Sequence, residues 1–115
     1  MDDIRLKTAK WTFGGREWEL TCNMNVLADV QALYGGDLTK ALEAAGSFRT
    51  VLDFLACMMN DYADTMGWQA RYTSKDLGRL LDMTEFQAVV PIVSGLLTSA
   101  LASPEAEDEG EESKN

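Results

Sequence analysis

The alternation of apolar and polar positions follows a helical period most clearly between Ser47 and Gly67. At 100° per residue, the apolar residues of this stretch fill an arc of about 200°. They are Phe48, Val51, Leu52, Phe54, Leu55, Met58, Met59, Tyr62, Ala63 and Met66. A helix that packs on one partner needs an apolar stripe of only roughly 100°. We therefore predict that this segment is the central helix and that other elements cover it from two sides.

The polar residues of the same stretch lie on the opposite arc and are expected to face solvent. They are Arg49, Thr50, Asp53, Asn60, Asp61 and Asp64. Ser47 supplies a side-chain oxygen that can cap the first turn, and Gly67 can adopt the left-handed conformation that ends many helices. The central helix is accordingly predicted over residues 48–66.

Residues 4–23 predict a β-hairpin. Apolar residues alternate with polar ones in 11–13 and again in 16–22, and Gly14-Gly15 between them suits a two-residue hairpin loop. Such a loop pairs Trp11 with Trp18 and Ala9 with Leu20. Because a lone hairpin is only marginally stable in water, its apolar face is expected to pack on helices.

The start of the hairpin does not keep this alternation. Ile4 and Leu6 point to the face opposite that of Trp11, so a bulge or break is expected near Thr8-Ala9.

Helical spacing and the turn residues between apolar segments predict four further helices, over residues 25–34, 38–45, 74–82 and 84–102. Asn23 or Asn25 can cap the first of them, and Thr73 or Ser74 the third. The segment 84–87 resembles a capping box for the last helix. Pro91 lies inside that helix, where it removes a backbone donor and clashes with the preceding turn. A kink or a re-start is therefore expected near Val90-Pro91.

Together these elements predict an α+β, mostly helical fold, with an N-terminal β-hairpin packed on a bundle of about five helices. Residues 1–102 are predicted to form a single globular domain. Residues 103–115 contain no large apolar residue and hold six of the chain's 19 acidic residues. A segment of this kind cannot bury enough apolar surface to offset the entropy of ordering, so we predict a disordered acidic tail.

The charge and the cysteines narrow the choice of partners and location. The formal net charge is −9, and an acidic chain without a basic cluster argues against nucleic acid and against an anionic membrane surface as partners. The N-terminus lacks the apolar core of a signal sequence, and no run approaches the length of an apolar membrane span. We therefore expect a cytoplasmic protein in which Cys22 and Cys57 are buried free thiols.

The residue types also limit the available chemistry. The chain contains no histidine, which removes the commonest general base and the commonest metal ligand. The glycine pairs are turn residues, because no phosphate-binding motif follows them. Asp61 and Asp64 could hold a cation, although a solvated polar face explains them as well. We expect a protein that is not an enzyme and that uses no cofactor and no metal.

The order of elements resembles that of the tail assembly chaperones of long-tailed bacteriophages and prophages. The matching segments are GREWEL at 15–20, NVLADVQALYGGDL at 25–38, YTSKDLGRLLD at 72–82 and LLTSAL at 96–101. The resemblance covers roughly residues 10–102. It consists of a pattern of glycines, aromatic residues and leucines rather than a catalytic motif.

The resemblance implies a function. A chaperone of this family is non-enzymatic and binds the long, apolar tape measure protein before the tail tube polymerises. It keeps this client soluble in the cytoplasm of the bacterial host and leaves before the virion is complete. In several such phages a frameshift produces a longer form that engages the tail tube protein, which makes the tube protein a second candidate partner.

Two other functions remain open. A small acidic regulator encoded by a phage or prophage, such as an anti-repressor or an inhibitor of a DNA-binding protein, would have a similar size and charge. A minor structural subunit of the tail would be found in purified virions. A homo-oligomer is compatible with all three.

The last helix supplies the first candidate for a partner-binding surface. Its apolar arc covers about 180°, with Leu97 near the centre and Val93 and Leu101 one turn to either side. The terminal element of a small domain is easily left half covered. The alternative is that this arc packs on the central helix. A second candidate surface is formed by Trp68 and Tyr72 in the connection after the central helix.

Overall fold

The computed structural model describes residues 7–102 of the protein. Its elements are β1 (Ala9–Phe13), β2 (Arg16–Leu20), α1 (Met24–Leu33), α2 (Leu38–Glu43), α3 (Phe48–Met66), α4 (Ser74–Leu80) and α5 (Met83–Leu101). The predicted fold class is confirmed: an N-terminal hairpin precedes five helices in a mostly helical α+β chain. Ile4, Leu6 and the predicted acidic tail lie outside the described residues.

The hairpin has the predicted register. β1 and β2 are antiparallel, with Trp11 opposite Trp18 and Ala9 opposite Leu20. Gly14 and Gly15 form the loop with φ of 64° and 74°, a conformation that side chains with a Cβ rarely adopt. The strand pairing therefore places the rings of Trp11, Phe13 and Trp18 on the same face of the ribbon.

Helix α3 is the centre of the fold, as its apolar pattern predicted. It contacts α1, α4, α5 and β2. Ser47 caps its start by accepting a hydrogen bond from the Thr50 amide at 3.1 Å, and Gly67 ends it with φ 75°. Every residue from Thr50 to Met59 is buried, which is more than one apolar stripe would require.

Two residues of the predicted polar arc and two of the predicted apolar arc are placed differently from expectation. Thr50 and Asp53 are buried rather than solvated. Phe48 and Met66 are exposed, since they occupy the two ends of α3, where fewer neighbours cover the helix. The assumption that polar residues mark the solvent face failed because Thr50 and Asp53 have hydrogen-bond partners inside the fold.

Helices α1 and α4 begin at well-formed caps. The Asn23 side chain accepts from the Val26 amide at 3.0 Å, so Asn23 is the cap of α1 and Asn25 lies inside that helix. Thr73 caps α4 and forms a capping box with Asp76. In each case one of the two predicted candidates is the capping residue.

Helix α5 corrects two predictions. Its capping box is formed by Asp82 and Glu85, not by residues 84–87, so the helix begins at Met83. Of the kink or re-start predicted near Val90-Pro91, the re-start is wrong, because one helix runs from Met83 to Leu101, and the kink stays a prediction. Pro91 has no N–H to offer the carbonyl of Gln87. Both residues are exposed, so water can hydrogen-bond to that carbonyl instead.

Candidate partner-binding surfaces

The predicted arc on α5 is divided between the core and the surface. Val93 and Leu97 are buried, together with Leu96, in the cluster that includes α3 and β2. Leu101 is 51% exposed at the end of the helix. The structure therefore places one of the three residues, not all three, where a partner can reach it without rearrangement. Whether any of them binds a partner stays a prediction.

Trp68 and Tyr72 are half buried in an aromatic cluster around the fully buried Trp18. The Trp18 ring centroid lies 5.3 Å from that of Trp68 and 5.9 Å from that of Tyr72, both edge to face. Tyr62 of α3 joins the cluster at 5.4 Å from Trp68. Rings at these distances stabilise the contact between the hairpin and the end of α3.

The accessible part of this cluster is small. The Arg16 guanidinium lies 4.0 Å from the centre of the Trp68 ring and shields part of it from solvent. The side-chain amide of Asn60 on α3 forms two hydrogen bonds with the backbone of Tyr72. It donates to the Tyr72 carbonyl and accepts from the Tyr72 backbone N–H, each at 2.8 Å. Both predicted residues thus have clear roles in packing, and a role in partner binding stays a prediction.

A third surface was not predicted from the sequence. An apolar groove of about 140 Å³ lies where α3, α4 and α5 meet. It is lined by Phe48, Leu52, Leu77, Gly78, Leu81, Asp82, Met83 and Phe86. Phe48 is 59% exposed and Met83 52% exposed, so large apolar side chains form its open edge. The groove therefore brings two large apolar side chains that solvent can reach, Phe48 and Met83, together at one edge.

The walls of the groove are held by ordinary packing. The rings of Phe48 and Phe86 lie with centroids 4.6 Å apart, which joins the first turn of α3 to that of α5. Leu77 of α4 is fully buried, and Leu52 of α3 is buried as well. The floor is thus fixed by the core, whereas the edge residues Phe48 and Met83 are about half exposed.

A signal for this groove does exist in the sequence. Residues 80–83 read Leu-Leu-Asp-Met, three large apolar residues around the cap between two helices. Such residues cannot all face one core, because the chain changes direction at the cap. Phe48 also lines the groove, but it was predicted to be buried, so the sequence did not predict an open groove at this place.

A second concave feature is more polar. A cleft of about 260 Å³ lies between α1, α3 and the segment 72–74, with Asp29, Asp53 and Cys57 among its lining residues. Asp53 accepts a hydrogen bond from the Tyr34 hydroxyl at 2.8 Å. The Tyr34 oxygen lies 2.6 Å from the Thr50 hydroxyl, which in turn accepts from the Ser47 hydroxyl at 3.1 Å. Four side chains thus form a chain of hydrogen bonds that ends on a buried carboxylate.

Both cysteines are buried free thiols, as predicted. Burial raises the pKa of Cys22 to about 11. Burial raises the pKa of Cys57 to about 12, with a smaller contribution from the negative charges of Asp29 and Asp53. The thiolate is the nucleophile in cysteine chemistry, so neither residue is activated at neutral pH.

The acidic pair predicted on α3 has separate partners. Asp61 accepts from the Asn23 side chain at 2.8 Å, and Asp64 forms an ion pair with Arg71. Across residues 7–102, no group of three or more cysteine or carboxylate side chains has the arrangement of a metal site.

Among the helices of the described part, α5 is the one that is long and apolar enough to cross a membrane by length and composition alone. A helix that packs in a protein core can meet the same criterion. α5 buries Phe86, Val89, Val93, Leu96 and Leu97, and 22% of its apolar window is buried in all.

No family model, no curated protein and no solved structure matches this chain.

Proposed function

We propose that this protein is a tail assembly chaperone of a long-tailed bacteriophage or prophage. It binds the tape measure protein without enzymatic chemistry, in the cytoplasm of the host, and is released before the virion is complete. The family assignment rests on the resemblance in residues 10–102. The observation that carries a binding function is the open apolar groove between α3, α4 and α5.

The groove suits a helical client. Amphipathic helices bind by laying apolar side chains into grooves of this kind. A cavity of about 150 Å³ lined by leucine, isoleucine and phenylalanine takes up a molecule the size of benzene. The groove has a comparable volume of about 140 Å³, so it can accept one large apolar side chain of a client.

The edge residues suit a client that must later be released. Met83 has an unbranched, adaptable side chain, and such residues can re-pack against different apolar surfaces. Phe48 and Met83 are half exposed in the free protein. Covering them contributes to affinity in proportion to the apolar area removed from water. One groove of this size gives a contact that can be reversed when the tube polymerises.

The test is co-purification with the candidate tape measure protein, the product of a very long, coiled-coil-rich reading frame downstream in the same genome. We expect Met83→Glu to abolish co-purification, because binding would bury the new carboxylate under an apolar client at a cost of several kcal/mol. The variant should stay folded, since Met83 is the first residue of α5 and acidic residues are favoured in the first turn of a helix.

The matched control is Met24→Glu. Met24 is also the first residue of a helix, α1, and is 76% exposed, but it does not line the groove. We expect this variant to co-purify normally. If Met83→Glu co-purified with the client as well as Met24→Glu does, the groove would be excluded as the client site. If the unmodified protein failed to bind the client, the chaperone function itself would be contradicted. The presence of this protein in purified virions would favour a structural tail subunit.

A further inference from the structure

We propose that a second copy of this chain covers the apolar groove between α3, α4 and α5, in a two-fold contact in which each copy inserts Met83 into the groove of the other. The charges on the two flanks of the groove carry this inference. A copy and a client would occupy the same groove, so self-association would compete with client binding. That competition rests on the function proposed above, whereas the self-association itself does not.

The flank of the groove on α4 is basic. Lys75 and Arg79 lie four residues apart and share one face of the helix, with the groove residue Gly78 between them in the chain. Both are exposed, and Lys75 forms no ion pair within residues 7–102. Arg79 lies 3.6 Å from Asp76 in an exposed pair, which binds it only weakly. Arg49 of α3 donates to the first residue of α4 at 2.9 Å and adds a third cation to this flank.

The flank formed by the start of α5 is acidic. Asp82 caps this helix and lines the groove. Glu85 is exposed one turn further along, and its Oε1 accepts from the Asp82 backbone N–H at 2.9 Å. Neither carboxylate forms an ion pair within the described residues. The apolar groove therefore lies between cations on α4 and carboxylates on α5.

This charge pattern is complementary to itself. In a two-fold contact the same surface of both copies meets, so that each residue contacts its counterpart's neighbour twice over. A half-turn about an axis through the apolar edge brings the basic flank of each copy against the acidic flank of the other. The contact also removes Phe48 and Met83 from water, which are 59% and 52% exposed in the single chain.

The first test is sedimentation velocity of the purified full-length protein. Small interfaces are weak, so the concentration series should extend to about 1 mM. We expect a dimer that forms with rising concentration, is lost in Met83→Glu and is kept in Met24→Glu. A monomer at every concentration, or a dimer that Met83→Glu retains, would overturn the proposal. Neither result would contradict the chaperone function, which is tested separately by co-purification with the client.

The second test exchanges the charges of the two flanks. Lys75→Glu makes both flanks acidic and Glu85→Lys makes both basic, so each variant should self-associate about tenfold more weakly or worse. An equimolar mixture of the two should recover the dimer, because each variant supplies the charge that the other lacks. Glu85→Lys also makes the chain less acidic, so a non-specific effect of net charge would strengthen self-association instead. Asp82 still caps α5 in this variant, through the backbone N–H of residue 85 at 2.8 Å.

Two control variants make the same charge changes away from the groove. Lys40→Glu lies on α2 and Glu17→Lys on the hairpin, both at exposed positions that do not line the groove. We expect each to change the dimer dissociation constant by about twofold or less, as for exposed charges elsewhere. Controls that weaken the dimer as much as the flank variants, or a mixture that fails to recover it, would rule the contact out. If Glu85→Lys does not fold, the comparison of Lys75→Glu with Lys40→Glu decides the question.

Discussion

Single residues of this protein have roles that their chemical type alone does not reveal. Asp53 and Thr50 are polar, yet they lie in the core because Tyr34 and Ser47 supply their hydrogen bonds. Phe48 is apolar, yet more than half of its surface is exposed. At this scale a residue's position depends on the partners within reach, and these come from other parts of the chain.

The hydrogen bonds of Tyr34 are expected to contribute measurably to stability. Tyr34→Phe removes the hydroxyl and leaves the buried Asp53 carboxylate without the one donor that it has among the described residues. We expect the free energy of unfolding to fall by about 1–3 kcal/mol, the usual cost of an unsatisfied buried group. Urea denaturation measures this directly.

Tyr62→Phe is the matched control for that measurement. The Tyr62 ring packs near Trp18 and Trp68, but its hydroxyl forms no hydrogen bond within residues 7–102. Its loss should change the free energy of unfolding by about 0.5 kcal/mol or less. A larger effect for Tyr62→Phe than for Tyr34→Phe would mean that the hydroxyl chain is not a stabilising feature.

Among the elements, α3 determines how the others pack, since α1, α4, α5 and β2 all contact it. Leu55 is fully buried near the middle of this helix. Leu55→Ala should lower the free energy of unfolding by about 2–5 kcal/mol, because it removes apolar contacts and leaves a cavity. Thermal or urea unfolding provides the measurement.

Leu33→Ala makes the same substitution at a position that is 60% exposed on α1. We expect a change of about 0.5 kcal/mol or less there. Similar losses at Leu33 and Leu55 would contradict the central position of α3.

The elements were predictable where local chemistry decides the structure. Two glycines at positive φ fixed the hairpin register, and Ser47 and Gly67 fixed the ends of α3. The start of α5 was not predictable in the same way. Both 82–85 and 84–87 fit a capping box, and the choice depends on where α4 ends in the packed structure. The passage of α5 through Pro91 likewise depends on the exposure of Gln87, which is a tertiary property.

The candidate surfaces were less predictable than the elements, for a related reason. An apolar arc shows which side of a helix avoids water, but the covering partner can be the protein's own core or another molecule. Val93 and Leu97 face the core, whereas Phe48 and Met83 face outward. This distinction needs the positions of several helices at once.

At the scale of the whole molecule, the groove and the exposed end of α5 are far apart. Met83 and Leu101 are the first and last residues of that helix, so at about 1.5 Å per residue they are separated by roughly 27 Å. One apolar side chain of a client cannot contact both. The molecule therefore offers two alternative places for apolar contact along α5, and their importance can be measured separately.

We expect Leu101→Asp to leave both the fold and the proposed binding of the tape measure protein intact. Leu101 is half exposed at the end of α5, so a carboxylate there stays hydrated and should lower the melting temperature by only a few degrees. Its neighbours on the arc, Val93 and Leu97, are buried, which leaves it as a single exposed leucine rather than part of a patch. Thermal unfolding and co-purification beside Met83→Glu provide the measurement.

A folded Leu101→Asp protein that loses the client, while Met83→Glu retains it, would move the client site to the end of α5. A sharp drop in melting temperature would instead show that Leu101 packs against part of the chain outside residues 7–102, because an unpaired carboxylate is costly only where water is excluded.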